Sequence, residues 1–275
     1  MIKFLVDSAA DCRTEDGLYD ILVPMTVTID DTDYRPGVDL DAQTFYELLE
    51  KGKEFPKTSQ PSPQMFLEHF EKAKETGDEL ICFCISSALS GTYQSAVMAK
   101  DMAEYDKIHV IDTLSATHMI GIMVRRAAEL RQQGSTAEQI VEEVEALKGK
   151  IHVLAGLDTL EYLHRGGRIG GAAAFVGSMA QIKPIVTIPN GSVEVCGKAI
   201  GKGRAIQRIA DMVKEAELDP GFPVLSVYSC GEENCETLEI KLKEAGISVQ
   251  ERRQIGSTIG AHTGPGVCGV IFVTK

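Results

Sequence analysis

The sequence predicts an α/β protein of two domains, with a mostly parallel sheet in the first domain and a mixed or antiparallel sheet in the second. In the first half, short apolar runs alternate with amphipathic stretches, which is typical of a parallel sheet covered by helices on both faces. In the second half, Asn190-Gly191 lies between two apolar runs and indicates a hairpin. The 275 residues suffice for two cores. We place the domains at residues 1–155 and 156–275.

Composition narrows the class of protein. Hydrophobic residues make up 44% of the chain and charged residues 25%, which is typical of a folded, soluble protein. The formal net charge of −12 argues against nucleic acid or an anionic membrane as the main partner. The sequence contains no run of about 18 apolar residues, and its first seven residues indicate a strand rather than a signal peptide. We therefore expect a cytoplasmic protein without integral membrane association.

The seven cysteines are interpreted as reduced, structural thiols. Their number is odd, and Cys82 and Cys84 lie inside the apolar run Leu80–Ile85. Cys230 and Cys235 have no matching His/Cys pair that would complete a zinc site. We expect neither a metal nor a cofactor.

The elements of the first domain follow from apolar runs and helix signals. Ser62 and Pro63 open a helix that Gly77 ends, since Ser favours the N-cap and Pro the first helical position. Ser135-Thr136-Ala137-Glu138 has the pattern of a capping box for a later helix. The predicted strands are Ile2–Val6, Ile21–Ile29 with a turn at Asp30-Asp31, Glu79–Ile85 and Ile108–Ile111. The other predicted helices lie around Phe45–Leu49, over Ser90–Ala103 and over 116–133.

The second domain is predicted from the same signals, with one segment that has no apolar period. Its strands are Ile151–Leu157, Ile182–Ile188, Val193–Cys196, Val224–Tyr228, Ile247–Gln250 and Val267–Val273, and its helices lie near 204–217 and 233–245. Between the last two strands, residues 255–266 contain four glycines, Pro265 and His262. Glycine permits close approach of a ligand and proline fixes the backbone, so we predict a shaped loop. By itself this loop is equally consistent with a ligand site and with a turn bearing a surface histidine.

Two further hydroxyl-rich segments, Lys57–Pro63 and Ser86–Thr92, lie where helices begin. Helix N-termini present free amide groups and the positive end of the helix dipole, so hydroxyls placed there favour an anion. Loops after parallel strands are also where open α/β sheets bind ligands. The alternative is that these residues are ordinary N-caps. For Ser62 considered by itself, we favour that alternative.

Five motifs, in one order over nearly the whole chain, resemble those of the DegV family, which includes the fatty-acid-binding subunits of bacterial fatty acid kinase. They are Val6-Asp7-Ser8-Ala9-Ala10-Asp11, Thr58-Ser59-Gln60-Pro61-Ser62, Ser86-Ser87-Ala88-Leu89-Ser90-Gly91-Thr92-Tyr93, Leu163-His164-Arg165-Gly166-Gly167-Arg168-Ile169 and Gly260-Ala261-His262-Thr263-Gly264-Pro265-Gly266. The first motif has Ala9 where the family commonly has Thr, so a hydroxyl role at that position is unsupported here.

The resemblance implies a two-domain fold that holds one long-chain fatty acid between its domains, with no further cofactor. It implies that the carboxylate is held by Thr58, Ser90 and His262, and we include the neighbours Ser59 and Thr263. It also implies a carrier rather than an enzyme. Such a carrier presents the acid to a fatty acid kinase, which makes the acyl phosphate.

A charge pattern supports a protein partner independently of the resemblance. Residues 165–208 contain seven basic side chains and one acidic one, Glu194, within an acidic chain. Such a segment favours docking to an acidic partner or a phosphate group, although a solvated charged face is the alternative. The resemblance implies contact with the kinase, for which our candidates are Arg165, Arg168, Lys202 and Arg204.

Three other functions compete with this interpretation. A serine hydrolase acting on a lipid ester could use Ser90 or Ser86 with His262, but the chain lacks the Gly-x-Ser-x-Gly elbow and no acid partner for His262 is evident. A nucleotide-binding enzyme is disfavoured because the glycine-rich segments lack Walker spacing. A module for a different apolar ligand is the third. The sequence leaves open the acyl chain length, the tunnel-lining residues and the oligomeric state.

Overall fold

The computed structural model describes residues 1–175 and 181–275. In this part of the chain the strands are β1 (Ile2–Asp7), β2 (Ile21–Val23), β3 (Thr26–Ile29), β4 (Thr32–Tyr34), β5 (Lys57–Ser59), β6 (Glu79–Cys84), β7 (Ile108–Asp112), β8 (Ile151–Gly156), β9 (Ile182–Thr187), β10 (Glu194–Ile200), β11 (Leu225–Tyr228), β12 (Glu251–Gln254) and β13 (Cys268–Val273). The α-helices are α1 (Ala42–Lys51), α2 (Pro63–Thr76), α3 (Thr92–Ala103), α4 (His118–Gln132), α5 (Ala137–Leu147), α6 (Glu161–Arg165), α7 (Lys202–Lys214), α8 (Glu233–Glu244) and α9 (Ser257–Thr263).

The first sheet has the strand order β2-β1-β6-β7, and all of its pairs are parallel. Side chains of β6 alternate between its two faces, as the period of a strand requires. Ile81 and Phe83 pack with α4 and α5, whereas Leu80 and Cys82 pack with α2 and α3. The predicted parallel sheet with helices on both faces is confirmed.

The second sheet has the order β10-β9-β8-β13-β11-β12 and is mixed, because β11 and β12 pair in parallel while the other four described pairs are antiparallel. One face packs against α7 and α8. Its other face joins the cluster that includes α4 and α5, so these two helices lie between the sheets. The predicted mixed sheet is therefore confirmed. Since β8 pairs with β9 and β13 of this sheet, we propose to move the domain boundary from 155/156 to just before Ile151.

A small third sheet, with the order β4-β3-β5, carries part of the site and corrects one prediction. The segment Ile21–Ile29 was predicted as one strand, but it forms β2 of the first sheet and β3 of the third. The break lies at Pro24, which has no N–H to donate and cannot continue a ladder. The predicted turn at Asp30-Asp31 is confirmed, since both residues have positive φ, 44° and 62°.

The strand predicted at Ile247–Gln250 is also wrong, because the edge strand is β12, four residues later. Its sequence, Glu-Arg-Arg-Gln, has no apolar alternation. It is held by ion pairs instead: Arg252 bonds to Glu239 at 2.7 Å and Arg253 to Asp16 at 3.1 Å. A polar edge strand of this kind is invisible to hydrophobic periodicity.

The capping box before α5 is displaced by one residue from the prediction. Thr136, rather than Ser135, is the N-cap, and its partner is Gln139 rather than Glu138. The Gln139 amide donates to Thr136 Oγ1 at 3.4 Å, and the Thr136 amide donates to Gln139 Oε1 at 2.9 Å. Both residues satisfy backbone groups that the helix itself leaves without partners.

Substituting Thr136→Ala is expected to lower the free energy of unfolding by about 1 kcal/mol, because it removes the side-chain half of this cap. Urea denaturation would measure the change. Ser135→Ala is the matched control and should change stability by less than about 0.5 kcal/mol. An equal loss in both variants would contradict the assignment of the box.

Within residues 1–175 and 181–275, no helix has the length and apolar content needed to cross a membrane. The same residues contain no group of three or more His, Cys, Asp or Glu side chains placed to hold a metal ion. All seven cysteines are free thiols in the structure, and four of them are buried: Cys82, Cys84, Cys235 and Cys268.

Candidate functional site

The segment predicted as a glycine-rich loop contains a short helix, α9, which carries His262. Seven residues are too few for an apolar period to be recognised in the sequence. Gly260 lets the helix approach α1, since a Cβ at this position would lie 2.6 Å from the Tyr46 hydroxyl oxygen. Gly264, at φ 70°, ends the helix in a backbone conformation that favours glycine.

The side chains of Thr58 and His262 meet where α9 packs on the third sheet. Thr58 Oγ1 lies 2.7 Å from His262 Nε2. Thr58 belongs to β5, which is an edge strand paired with β3. Because side chains alternate along a strand, Thr58 points toward α9 while its neighbour Ser59 is exposed.

Ser90 lies in the loop between β6 and α3 and is buried. Its Oγ is 2.8 Å from Thr92 Oγ1, so the two hydroxyls share a hydrogen bond. The loop is held from within by Ser86, whose Oγ donates to the Gly191 carbonyl at 2.8 Å, and the Ser90 amide donates to the Ser86 carbonyl at 3.1 Å. These contacts fix a hydroxyl at the carboxyl end of a parallel strand.

Ser90 and the Thr58–His262 pair face a common inner cavity of about 70 Å³. Its polar lining comes from Thr58, Ser90, Arg168, Thr258, His262 and Thr263. The remaining lining is apolar: Met25, Ile85, Leu89, Ala116, Leu163, Ile188, Val193 and Ile259. The site thus combines a few hydrogen-bonding groups with apolar walls, as small-molecule sites do.

An open outer recess of about 660 Å³ adjoins the inner cavity. Thr58, Arg168 and His262 line both spaces, so these three residues form the wall between them. The rest of the outer recess is rich in cations, with Lys53, Lys57 and Arg165 against Glu54. The shared wall therefore faces a positively charged opening on its outer side.

His262 is an uncharged hydrogen-bonding group at neutral pH. Burial lowers its pKa to about 4, and the positive charge of Arg168 contributes to the same shift. Its Nδ1 is buried and has no hydrogen-bond partner among the described residues. Such a polar atom is costly to bury, and an acceptor or donor on a ligand would satisfy it.

Arg168 supplies the positive charge of the wall. Its Nε donates to the Leu89 carbonyl at 2.9 Å and its Nη1 to the Gly166 carbonyl at 2.7 Å. We predicted this residue as a partner contact, but the structure places it half-buried beside His262. The side chain is held in position by its two bonds, so it favours an anion at the wall.

The other predicted partner residues lie in two places. Arg165 is exposed at the rim of the outer recess, where its guanidinium stacks 4.3 Å from the Phe55 ring centroid. Lys202 and Arg204 are exposed in the first turn of α7 and line neither space. Lys202 forms an ion pair with Asp158 at 2.8 Å.

Of the five predicted ligand residues, Thr58, Ser90, His262 and Thr263 line one cavity, and Ser59 lines neither space. The Thr263 hydroxyl donates to the Ile259 carbonyl at 3.1 Å. The prediction missed Thr258, a buried hydroxyl in the same glycine-rich segment. In the sequence, the signal that could have identified Thr258 was its place in the glycine-rich segment.

The side chains that a serine hydrolase would need are not arranged as a nucleophile and a base. The Ser90 hydroxyl pairs with Thr92, and His262 Nε2 pairs with Thr58. Within the described ranges, neither ring nitrogen of His262 hydrogen-bonds to a carboxylate. An activated serine requires both contacts, so the geometry does not support this alternative.

A family model described as "Uncharacterised protein, DegV family" matches residues 1–275. A DegV domain-containing protein of Caldanaerobacter subterraneus is 37% identical over 256 residues, which cover 92% of this chain and 91% of that protein. A solved Thermus thermophilus structure, described as fatty acid binding of a DegV family protein, is similar to this chain with a TM-score of 0.89 and 32% sequence identity. The similarity covers 100% of this chain and 99% of the Thermus chain. A stearic-acid-binding protein of Eubacterium ventriosum has a TM-score of 0.89 and 26% identity, with coverage of 100% and 99%.

Proposed function

Because the chain belongs to the DegV family, we propose that it binds a long-chain fatty acid and presents the carboxyl group to a fatty acid kinase. The carboxylate lies among Thr58, Ser90 and His262, and the acyl chain extends into the apolar interior. The observation that carries the proposal is the Thr58–His262 pair at the wall of an apolar cavity. Within residues 1–175 and 181–275, the buried His262 Nδ1 has no hydrogen-bond partner.

The hydrogen-bonding groups suit a carboxylate. The Thr58–His262 pair can donate one bond to the ligand and the Ser90 hydroxyl a second, because one hydrogen of the pair is used between its two members. A hydrogen bond to a charged group contributes roughly 1.5–3 kcal/mol. Arg168 adds a positive charge next to these donors. Its Nε and Nη1 bond to neutral carbonyl groups rather than to a carboxylate, so these bonds do not neutralise the charge. An ester or alcohol lacks the charge that these groups favour, so the site selects the acid.

The acyl chain supplies the larger share of the affinity. Each buried methylene contributes about 0.8 kcal/mol, so a dozen supply roughly 10 kcal/mol before the cost of association. The inner cavity of about 70 Å³ is smaller than the roughly 300–1,000 Å³ of typical ligand pockets. We therefore expect the apolar lining to move apart when the chain enters.

The outer recess provides the route to a kinase. The carboxyl group at the shared wall faces an opening lined by Lys53, Lys57 and Arg165, which suits an anionic phosphate donor. The protein acts as the substrate carrier, and the kinase transfers the phosphoryl group to the carboxylate. Arg165, Lys202 and Arg204 remain our docking residues, whereas Arg168 is reassigned to the ligand site.

Native mass spectrometry after mild purification tests the binding proposal. We expect a stoichiometric adduct with the mass of a fatty acid. Protein that carries no adduct and also fails to bind added oleate would contradict the proposal. Hydrolysis of a lipid ester that is lost on Ser90→Ala would instead favour the hydrolase.

Charge reversal tests the docking surface separately. Arg204→Glu is expected to lower the kcat/KM of kinase-dependent phosphorylation about tenfold while the Kd for fatty acid stays within about twofold, because exposed interface charges act mainly on association. Lys214→Glu is the matched control, since it makes the same charge change at the other end of α7, about 15 Å away. Equal effects of both variants would argue against a local docking site.

A further inference from the structure

The backbone that leads from β12 into α9 is held by side chains of the first half of the chain. We call residues 254–258 the α9 link. Asp11 contacts its centre, because the Asp11 carboxylate packs directly against the backbone at Gly256. The fit is close, since a Cβ at Gly256 would lie 2.2 Å from Asp11 Oδ1. The same carboxylate accepts a bond from Thr117 Oγ1 at 2.6 Å, just before α4.

Three more side chains of the first half bond to the α9 link. His118 Nε2 donates to the Gln254 carbonyl at 2.9 Å, the Tyr46 hydroxyl donates to the Ile255 carbonyl at 3.0 Å, and Ser8 Oγ lies 3.1 Å from Thr258 Oγ1. Burial lowers the pKa of His118 to about 4, so its ring is neutral at pH 7 and a ring N–H is available. Four contacts therefore determine where α9 begins.

The position of the α9 link determines the position of His262. Helix α9 contains only seven residues, which is too short to be stable without its packing. Its start lies less than two turns before His262, so a shift at Gly256 is passed along the helix. The Thr58–His262 contact of 2.7 Å tolerates little displacement, because hydrogen bonds weaken beyond about 3.2 Å.

We propose that Asp11 is a positioning residue for head-group binding, which joins the α9 link to Thr117 and thereby keeps His262 beside Thr58. This inference rests on the proposed function, since it assigns Asp11 to the recognition of the ligand carboxylate. Asp11 itself lines neither the inner cavity nor the outer recess. It acts through the helix rather than on the ligand.

The test compares binding of dodecanoic acid and dodecanol, which share a twelve-carbon chain and differ in the head group. Asp11→Asn keeps the shape of the side chain and tolerates the positive φ of 51° at this position, but its amide nitrogen cannot accept a bond. We expect the preference for acid over alcohol to fall about tenfold, with alcohol affinity within about twofold. Measurements at pH 8.5 keep the carboxylate ionised, because burial raises the pKa of Asp11 to about 7.

A double-mutant cycle separates positioning from general stability. If Asp11 acts through His262, Asp11→Asn should change acid affinity by less than about twofold in a His262→Ala background. Asp16→Asn is the matched control, because Asp16 lies on the same loop and pairs with Arg253, just before the α9 link. It should leave the preference for acid unchanged.

The outcomes distinguish the two proposals. A wild-type protein without preference for the acid contradicts the proposed function. A wild-type preference that survives in Asp11→Asn, or an equal loss of acid and alcohol binding, overturns the positioning role. If Asp11→Asn fails to fold, Thr117→Val removes the other anchor and Thr117→Ser restores its hydroxyl. Loss of preference in the first and recovery in the second support the inference, and any other pattern contradicts it.

Discussion

Replacing His262 with alanine is expected to lower the affinity for a long-chain fatty acid by about 10- to 100-fold, the equivalent of one hydrogen bond to a charged group. The substitution removes the ring that bonds to Thr58 at the wall between the two spaces. It also removes a buried nitrogen that has no partner within the described ranges, so the free protein should not lose stability through that atom. The loss should therefore fall on binding.

Isothermal titration with oleate measures this change, and Ser59→Ala provides the control. Ser59 is adjacent to Thr58 but exposed on the opposite side of β5, so its removal should leave Kd within about twofold. Ester or alcohol analogues should bind to wild type and His262→Ala with similar affinity. Unchanged oleate affinity in His262→Ala would show that the carboxylate is held elsewhere.

Gly166→Ala is expected to have the second large effect, on both binding and stability. A Cβ at this position would lie 2.2 Å from His262 Nδ1 and 2.9 Å from Cε1. The backbone at Gly166 has φ −74° and ψ −8°, which alanine adopts readily, so the effect arises from steric contact. The His262 ring is the severe contact, and the Tyr162 carbonyl oxygen, at 3.1 Å, is a lesser one. The ring must turn away from Thr58 or α6 must shift. We expect at least about tenfold weaker fatty-acid binding and a loss of about 1–3 kcal/mol in unfolding free energy.

Two variants make this prediction specific. In a His262→Ala background, Gly166→Ala should destabilise the protein by less than about 1 kcal/mol, because the ring that it would strike is absent. Gly203→Ala is the matched control, since no heavy atom beyond its chain neighbours and its own helix backbone lies within 4 Å of a Cβ built there. Equal destabilisation in both backgrounds would show that the contact with His262 is not the cause.

Local patterns were sufficient to predict most of the secondary structure. The buried strands of both large sheets and the helices between them follow from apolar periodicity, because an element that buries one face has apolar residues at regular spacing in its sequence. The failures have a common cause. β12 is stabilised by ion pairs to other elements, and α9 is short and rich in glycine, so neither has apolar residues at regular spacing.

The sequence supplied candidate residues for the site but not their arrangement. The motifs that resemble the DegV family led to Thr58, Ser90 and His262, and the structure brings all three to one cavity. They did not separate Ser59 from Thr58, because that depends on how β5 pairs with β3. They also could not place Arg168 in the wall of the site, because its position is set by bonds to two carbonyls, one of them 79 residues away in sequence.

By itself, therefore, the sequence determined the fold class, the alternation of strands and helices, and which hydroxyl and imidazole groups are available. Only the tertiary structure decided which of them meet: Thr58 and His262 are 204 residues apart, and Asp11 reaches the α9 link from the opposite end of the chain. The physical reason is that hydrophobic periodicity reports whether a side chain is buried, whereas a hydrogen bond of 2.7 Å depends on the packing of every element between the two partners.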